Sequence, residues 1–449
     1  MLDKEIISKY RNDAQGLAKY FSDKYYHGHE KVFPLNPFQV LTDLGIHFVF
    51  RNFKNLEGLY MPATSETDVD LVAININRPI TRQRFSAAHE LCHVLKDADI
   101  KSPFMCAIAA NDFIERYAES FASAFLMPEK EMREQIDQRN REGHLTLDDV
   151  LVISDYFGAS FKACFYRIRT LFPYLVSHID KKALEKYKPD RKRTEYGLNY
   201  TGLYADLFDA WNDVASDISS AFALQVFKNR YVYNDARMEG VDTNSEAVAE
   251  IIEDLQNNRQ LSIYCTDKYE SYCHVAGHAV MYDYVFENTY KSTFSVYLLS
   301  TLNAKLFSCF PNPEYGGKTR QENVLVLGAK FETLDWRDVM PALIELNKAV
   351  DYLEKKHTFM KRSEIILEVI KIHHRITVIH PFSDGNGRTS RAFMNEMLIR
   401  YGMPPFYIKV EKKEEYYAAL EIADKKGDFN KLFEYTMRAL MQSHAELAG

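Results

Sequence analysis

Along the chain the spacing of apolar residues switches between helical and extended periods, and each switch marks an element. Ile6, Ile7, Tyr10, Ala14, Leu17, Ala18 and Phe21 recur at helical spacing with charges between them, which predicts one amphipathic helix over 5–26. After Pro34 and Pro37 a short helix over 39–44 is expected to end at Gly45. The stretches 47–50, 59–61 and 69–76 then read as a small sheet. At Pro79 the period turns helical again: Thr81 is the expected N-cap, and Phe85, Ala88, Cys92 and Leu95 mark one buried face. A second helix over 114–127 is stopped by Pro128, with Ala118 and Ala122 small enough to let two helices pack closely. From 129 to 171 the pattern stays helical, turning at Gly158-Ala159-Ser160. Two helices joined by a tight turn suggest a helix-turn-helix.

Residues 180–198 are rich in charge and poor in apolar periodicity, which predicts an exposed connection between two modules. Beyond it Tyr204, Leu207, Phe208, Trp211, Val214 and Ile218 return to helical spacing, and 222–227, 245–256, 275–287 and 363–379 continue it. Gly316-Gly317-Lys318-Thr319-Arg320 leads instead into an extended apolar run over 324–328. At 449 residues the chain is too long for one ordinary domain, and we divide it into 1–172, a connecting segment over 173–203, and 204–449.

A formal charge of −7 from nearly balanced acids and bases gives no case for nucleic acid or membrane as a partner. No run approaches the length needed to span a bilayer, and the start Met1-Leu2-Asp3-Lys4-Glu5 has no apolar stretch behind a basic one, so a cytoplasmic location is expected. Cys92, Cys106, Cys164, Cys265, Cys273 and Cys309 lack CxxC spacing and argue neither for a disulfide framework nor for a cysteine zinc site.

The densest chemistry lies over 380–391, His-Pro-Phe-Ser-Asp-Gly-Asn-Gly-Arg-Thr-Ser-Arg. Gly385 and Gly387 flank Asn386 and let backbone N–H groups approach a phosphate, while the helical spacing of Phe393, Met394, Met397 and Leu398 sets this loop at a helix N-terminus. Arg388 and Arg391 share a face and can fork onto phosphate oxygens. Asp384 can hold a magnesium ion against them, and His380 is the natural base for a hydroxyl. This run resembles the Fic family signature HxFx(D/E)GNGRxxR and matches every defined position. The resemblance implies transfer of AMP from ATP to a protein Ser, Thr or Tyr hydroxyl: His380 deprotonates the target, Asp384 binds Mg2+, the Gly385–Gly387 turn cradles the phosphates, Arg388 and Arg391 hold the triphosphate tail, and Phe382 anchors the loop in the core.

Further features follow from the same resemblance. Asn234-Asp235-Ala236-Arg237-Met238-Glu239-Gly240 is similar to the inhibitory (S/T)xxxE(G/N) helix, expected here near 230–240, whose glutamate pairs with the second motif arginine; Asp235 stands where that pattern has Ser or Thr. The segment 316–328 corresponds to the flap that holds a target segment by strand addition, and Tyr416 and Tyr417 to a segment that closes over adenine. His274 and His278, one turn apart, have no third ligand nearby and are read as satisfied histidines.

A second constellation is His89-Glu90-Leu91-Cys92-His93. Histidines one turn apart can reach one zinc ion, and the glutamate between them can act on zinc-bound water. Glu115, on the next helix, can supply the third ligand; Glu119, on the same face, is a rival. Over 5–170 the chain looks like the ImmA/IrrE metallopeptidases, with a short sheet, HExxH, an ExxA segment and a Leu-Met-Pro ending. That resemblance implies Zn2+ on His89, His93 and Glu115, with Glu90 as general base, and a helix-turn-helix that need not touch DNA.

The expected architecture is therefore multidomain: an N-terminal α+β zincin-like domain with a small sheet, and a C-terminal mainly-α Fic fold with a β-hairpin flap. The expected activity is a protein adenylyltransferase using ATP and Mg2+, self-inhibited by Glu239 and joined to a zinc metallopeptidase. The expected partner is a protein bearing the acceptor hydroxyl. The alternative is that the zinc site cleaves a repressor or other partner protein while the Fic half regulates it.

Overall fold

The computed structural model describes residues 3–63, 65, 69–97, 104–107, 113–140, 143–211, 221–257, 269–288, 294–324 and 333–447. It divides into two compact units, Met1–Asp213 and Val214–Gly449.

The first unit opens with α1 (Lys4–Lys9) and α2 (Ala14–Tyr25) rather than one helix. The break arises because the Asp13 side chain accepts from Gly16 N and starts a new helix. Then come α3 (Pro37–Asp43), capped by Asn36, and strands β1 (His47–Arg51), β2 (Leu56–Met61), β3 (Leu71–Asn75) and β4 (Phe104–Ala107) in the order β1-β3-β2-β4. β1 and β3 are parallel, with His47 opposite Leu71; β2 runs antiparallel to both β3 and β4. Between the sheet and α5 (Phe113–Leu126) lies α4 (Ile80–Lys96), buried at every position over 87–95. Its N-cap is Pro79, not Thr81, which is buried inside the first turn where its hydroxyl makes no cap.

Helices α6 (Glu129–Asp137), α7 (Leu147–Tyr156) and α8 (Phe161–Leu171) complete this body. Thr146 and Asp149 form a reciprocal capping box on α7. The turn between α7 and α8 is pinned by the fully buried Arg84, which donates to the carbonyls of Gly158 (3.1 Å) and Leu35 (2.6 Å).

The charged stretch 180–198 is not a free connection. It forms α9 (Lys181–Lys186) and α10 (Pro189–Glu195), held to α7 because Tyr187 and Tyr196 donate to Asp148 (2.7 and 2.6 Å) and Arg193 pairs with Asp155 at 2.5 Å. Helix α11 (Thr201–Ala210) also belongs here: Asn36 and Thr42 donate to the carbonyls of Asp206 and Ala210, and Trp211 meets Phe50 edge-on at 5.7 Å. The boundary thus falls after residue 213 rather than at 204.

Within the second unit, α12 (Ala221–Met238), α13 (Ser245–Gln256) and α14 (Tyr269–Asn288) enclose a core of Phe227, Tyr231, Val248, Ile252, Val275 and Tyr282. Then follow α15 (Leu298–Leu306), α16 (Val339–Lys356), α17 (Arg362–Ile379), α18 (Asn386–Arg400), α19 (Lys413–Lys426) and α20 (Asn430–Leu447). α18 is the central helix, packed by α14, α15 and α17. Among the described residues this unit is helical apart from one bridge, Thr319 to Phe382; the expected extended run over 324–328 lies almost wholly outside them.

Candidate functional site

In the second unit, α17 buries Ile376 and Ile379 and ends at His380, whose φ of 51° lies in the left-handed region. A side-chain-bearing residue there costs about 1–3 kcal/mol, so its surroundings must hold it. Arg320 does so: its Nε donates to His380 O at 2.7 Å and its backbone N to Pro381 O at 2.9 Å. Asn386 clamps the loop, accepting from Phe382 N (2.8 Å) and donating to Phe382 O (2.7 Å), which explains why Phe382 is buried. The Asn386 side chain is therefore spent on loop shape, leaving only its backbone N–H for a ligand. Gly385, at φ 76°, turns the chain into α18.

The first intrahelical bond of α18 is Thr389 N to Gly385 O, so the N–H groups of Asn386, Gly387 and Arg388 precede it and lack an acceptor within the helix. Asp384 is exposed at the rim, 3.5 Å from Arg388. Burial chiefly pulls the half-buried His380 imidazole below its usual pKa of 6.5, with Arg320 acting the same way and the Glu239 and Asp384 carboxylates opposing. At neutral pH His380 is then a neutral base.

Arg391 is buried and bound twice: Nε donates to Asp235 Oδ1, and Nη2 to Glu239 Oε1 at 2.5 Å. Burial opposes the charge, yet these two carboxylates raise its pKa well above the ordinary guanidinium value. Glu239 hangs directly over the glycine turn, since a Cβ on Gly387 would lie 2.7 Å from its Oε1. Burial would raise the Asp235 carboxyl, but Arg391 and then His278, 3.1 Å from Oδ2, hold it at about 2. Arg388 donates to His274 Nδ1 at 2.8 Å.

The tyrosine pair separates. Tyr416 is 2% exposed and bonded to His373 Nε2 at 2.6 Å, so it lies in the layer beneath and offers no face to a base, contrary to expectation. Burial, and next the charge of Arg391, push His373 down to about 3, which fixes it as a neutral partner. Tyr417, 40% exposed, keeps an open ring.

In the first unit, α4 and α5 bring His89, His93 and Glu115 together, with ligand atoms within 4.8 Å of one another. The two Nε2 atoms are 3.2 Å apart, and His89 Nε2 is 3.1 Å from Glu115 Oε2. Two imidazole nitrogens and one carboxylate converging in this way fit a three-ligand zinc centre. Behind His93, Asp97 meets Nδ1 at 2.9 Å and sets the ring orientation. Among the described residues both oxygens of Glu90 are buried without a hydrogen-bond partner, and burial, then Glu115, raise its pKa well above 4.5. That carboxyl is orphaned unless water or substrate meets it. Glu119 is exposed and stands outside the cluster.

Residues 41–169 match the IrrE N-terminal-like domain, and residues 293–398 match the Fic/DOC family. The chain joins an IrrE N-terminal-like domain to a Fic domain. Protein adenylyltransferase fic-1 of Caenorhabditis briggsae is 33% identical over 127 residues, 28% of this chain and 24% of that protein. The Caenorhabditis elegans protein of the same name is 32% identical over 127 residues, 28% and 23% respectively. The match thus spans about a quarter of the length of these relatives. Among solved structures, Fic-1 (residues 134–508) from C. elegans is similar with 18% identity and TM-score 0.43, over 81% of this chain and 97% of that one.

Several residues of the Fic site escaped the sequence reading. Asp235 stands one turn before Glu239, a spacing that puts both on one helix face and could have signalled a second carboxylate for the arginine. Arg320 and His274 had no such signal. In the IrrE-like domain, Asp97, one turn after His93, had the same helical spacing as the ligands themselves.

Proposed function

We propose that the Fic domain transfers AMP from ATP to a Ser, Thr or Tyr hydroxyl of a protein, and that Glu239 holds this activity back. The observation that carries the reading is the Glu239–Arg391 pair lying over the Gly385–Gly387 turn, at the position a terminal phosphate needs. The relatives' printed name, protein adenylyltransferase, supports the reaction class.

In this reading the triphosphate lies against the first turn of α18, on the N–H groups of Gly387 and Arg388, with the two guanidiniums on its tail. A magnesium ion held by Asp384 would supply charge neutralisation between the phosphates. His380 takes the proton of the acceptor hydroxyl as its oxygen bonds to the α-phosphorus; the bond to the bridging oxygen breaks and pyrophosphate leaves. Thr319 and Arg320, already paired with Phe382 and Pro381, precede the stretch that would act as a flap and align an extended target segment. The Glu239→Gly protein with labelled ATP tests this: labelling of itself or of lysate proteins, lost in Glu239→Gly/His380→Ala, is expected, and no labelling by Glu239→Gly sinks the reading.

A second activity is favoured by the ligand cluster of the first unit. Zinc on His89, His93 and Glu115 would supply Lewis acidity there, and Glu90 would take a proton from water and pass it to the leaving amine. Comparing Glu90→Gln with His380→Ala for loss of the cellular effect separates a protease-led role from a transferase-led one.

A further inference from the structure

On the first unit a cavity of about 560 Å³ opens between α4, α5 and α8, and none of His89, Glu90, His93 or Glu115 lines it. Its wall contains Arg167, only 6% exposed. Nε of this guanidinium donates to Met127 O at 3.2 Å and Nη1 to Gln15 Oε1 at 3.3 Å, both neutral acceptors. Among the described residues no carboxylate pairs with Arg167, and its Nη2 makes no hydrogen bond. The Glu129 carboxylate acts on it only from beyond ion-pair distance; a buried cation so weakly compensated is expensive, and a site built around one is completed by an anion.

A second feature points the same way. The 11-residue helix α8 begins at this wall, where Ser160 and Ala163 line the cavity, and the N–H groups of Phe161 and Lys162 have no acceptor within the helix. The lining carries the guanidiniums of Arg82, Arg116 and Arg167 against the single carboxylate of Glu119. Arg82 is already engaged by Glu57 at 3.1 Å, which leaves Arg116 and Arg167 for a guest. Phe85, Leu126 and Tyr166 add apolar wall, and the volume is that of a small-molecule site.

We propose that this cavity binds a small organic anion, with its carboxylate or phosphate at Arg167 and the start of α8 and its apolar part on Phe85, Leu126 and Tyr166. The ligand bridges α8 to the two helices that carry the zinc-ligand cluster. The inference does not depend on either proposed activity.

Hydrogen–deuterium exchange of the full chain, with inorganic phosphate and succinate as separate probes at constant ionic strength, tests it. Slowed exchange is expected over 81–85 and 160–170, and the stronger probe identifies the anion class. Arg167→Gln should weaken the response about tenfold or more. Ala163→Leu, which fills the space and keeps the guanidinium, should abolish it. Phosphate settling at the Fic loop would slow exchange over 380–391 instead, and an Arg388→Ala chain should keep the 160–170 response. No slowing at 160–170 with either probe, or slowing that survives both cavity variants, overturns the proposal; should Arg167→Gln fail to fold, Ala163→Leu decides alone.

Discussion

Asp235 and Arg391, 156 residues apart in the chain, form a buried ion pair through the guanidinium Nε, while the more exposed Glu239 takes the neighbouring Nη2. The two carboxylates therefore do different work. Asp235, 3% exposed, compensates the charge of Arg391 whatever occupies the site; Glu239, further out, is the one a phosphate can replace.

Glu239→Gly should accordingly raise AMP transfer while leaving the fold nearly as stable, because Arg391 keeps a partner. Removing a charged hydrogen-bond partner of this kind corresponds to roughly tenfold or more in occupancy by ATP. Incorporation of labelled AMP, with a denaturant melt of the same protein, reads both.

Asp235→Asn should destabilise by about 1–3 kcal/mol, more than Glu239→Gly, since it removes the buried counter-charge and leaves Arg391 only the partly exposed Glu239. In the Glu239→Gly background it should also raise the KM for ATP, because the arginine loses its orientation. The acid response follows from the same pair. The Asp235 carboxyl, at about 2 in the folded chain, lies below its ordinary value of 3.8, so the stabilisation is present above the latter and is lost as pH falls toward the former. Urea melts of wild type and Asp235→Asn should converge over that interval.

His380→Gly should abolish transfer by roughly 100-fold or more without loss of stability, because glycine accepts the left-handed backbone that histidine holds under strain. His380→Ala should lose activity equally but melt earlier. Since burial lowers the imidazole pKa below 6.5, the acidic limb of the pH–rate profile for kcat/KM should have its midpoint below that value. A midpoint at or above 6.5 would contradict His380 as the base.

What could be read in advance was whatever is contiguous or helically spaced. The run 380–391 and the HExxH helix carry their geometry in their own spacing: His89 and His93, four apart, share a face of α4, and Glu115 of α5, offered beside Glu119 as a third ligand, lies within 4.8 Å of them. Partners brought from afar could not be read: Arg320 reaches the His380 carbonyl across 60 positions and His274 reaches Arg388 across 114. Tyr416 was misassigned because an aromatic pair at adjacent positions gives no hint of which ring the core claims. The stretch 180–198 was misread for the opposite reason: its charges look solvated in isolation, but Tyr187, Arg193 and Tyr196 find Asp148 and Asp155 on α7.

The zinc reading turns on Asp97 as much as on the three ligands. With its carboxylate 2.9 Å from His93 Nδ1, it fixes which ring nitrogen faces Glu115 and His89. Asp97→Asn should therefore weaken zinc binding by roughly 10–100-fold while the chain stays folded. Glu90→Gln should leave zinc affinity unchanged, because Glu90 is outside the ligand cluster, yet remove any peptidase activity. Metal content by mass spectrometry and competition with a chromophoric chelator measure the first effect and the first half of the second. Equal zinc affinity in wild type and Asp97→Asn would show that His93 is not a ligand held from behind, and the three-residue centre would have to be abandoned.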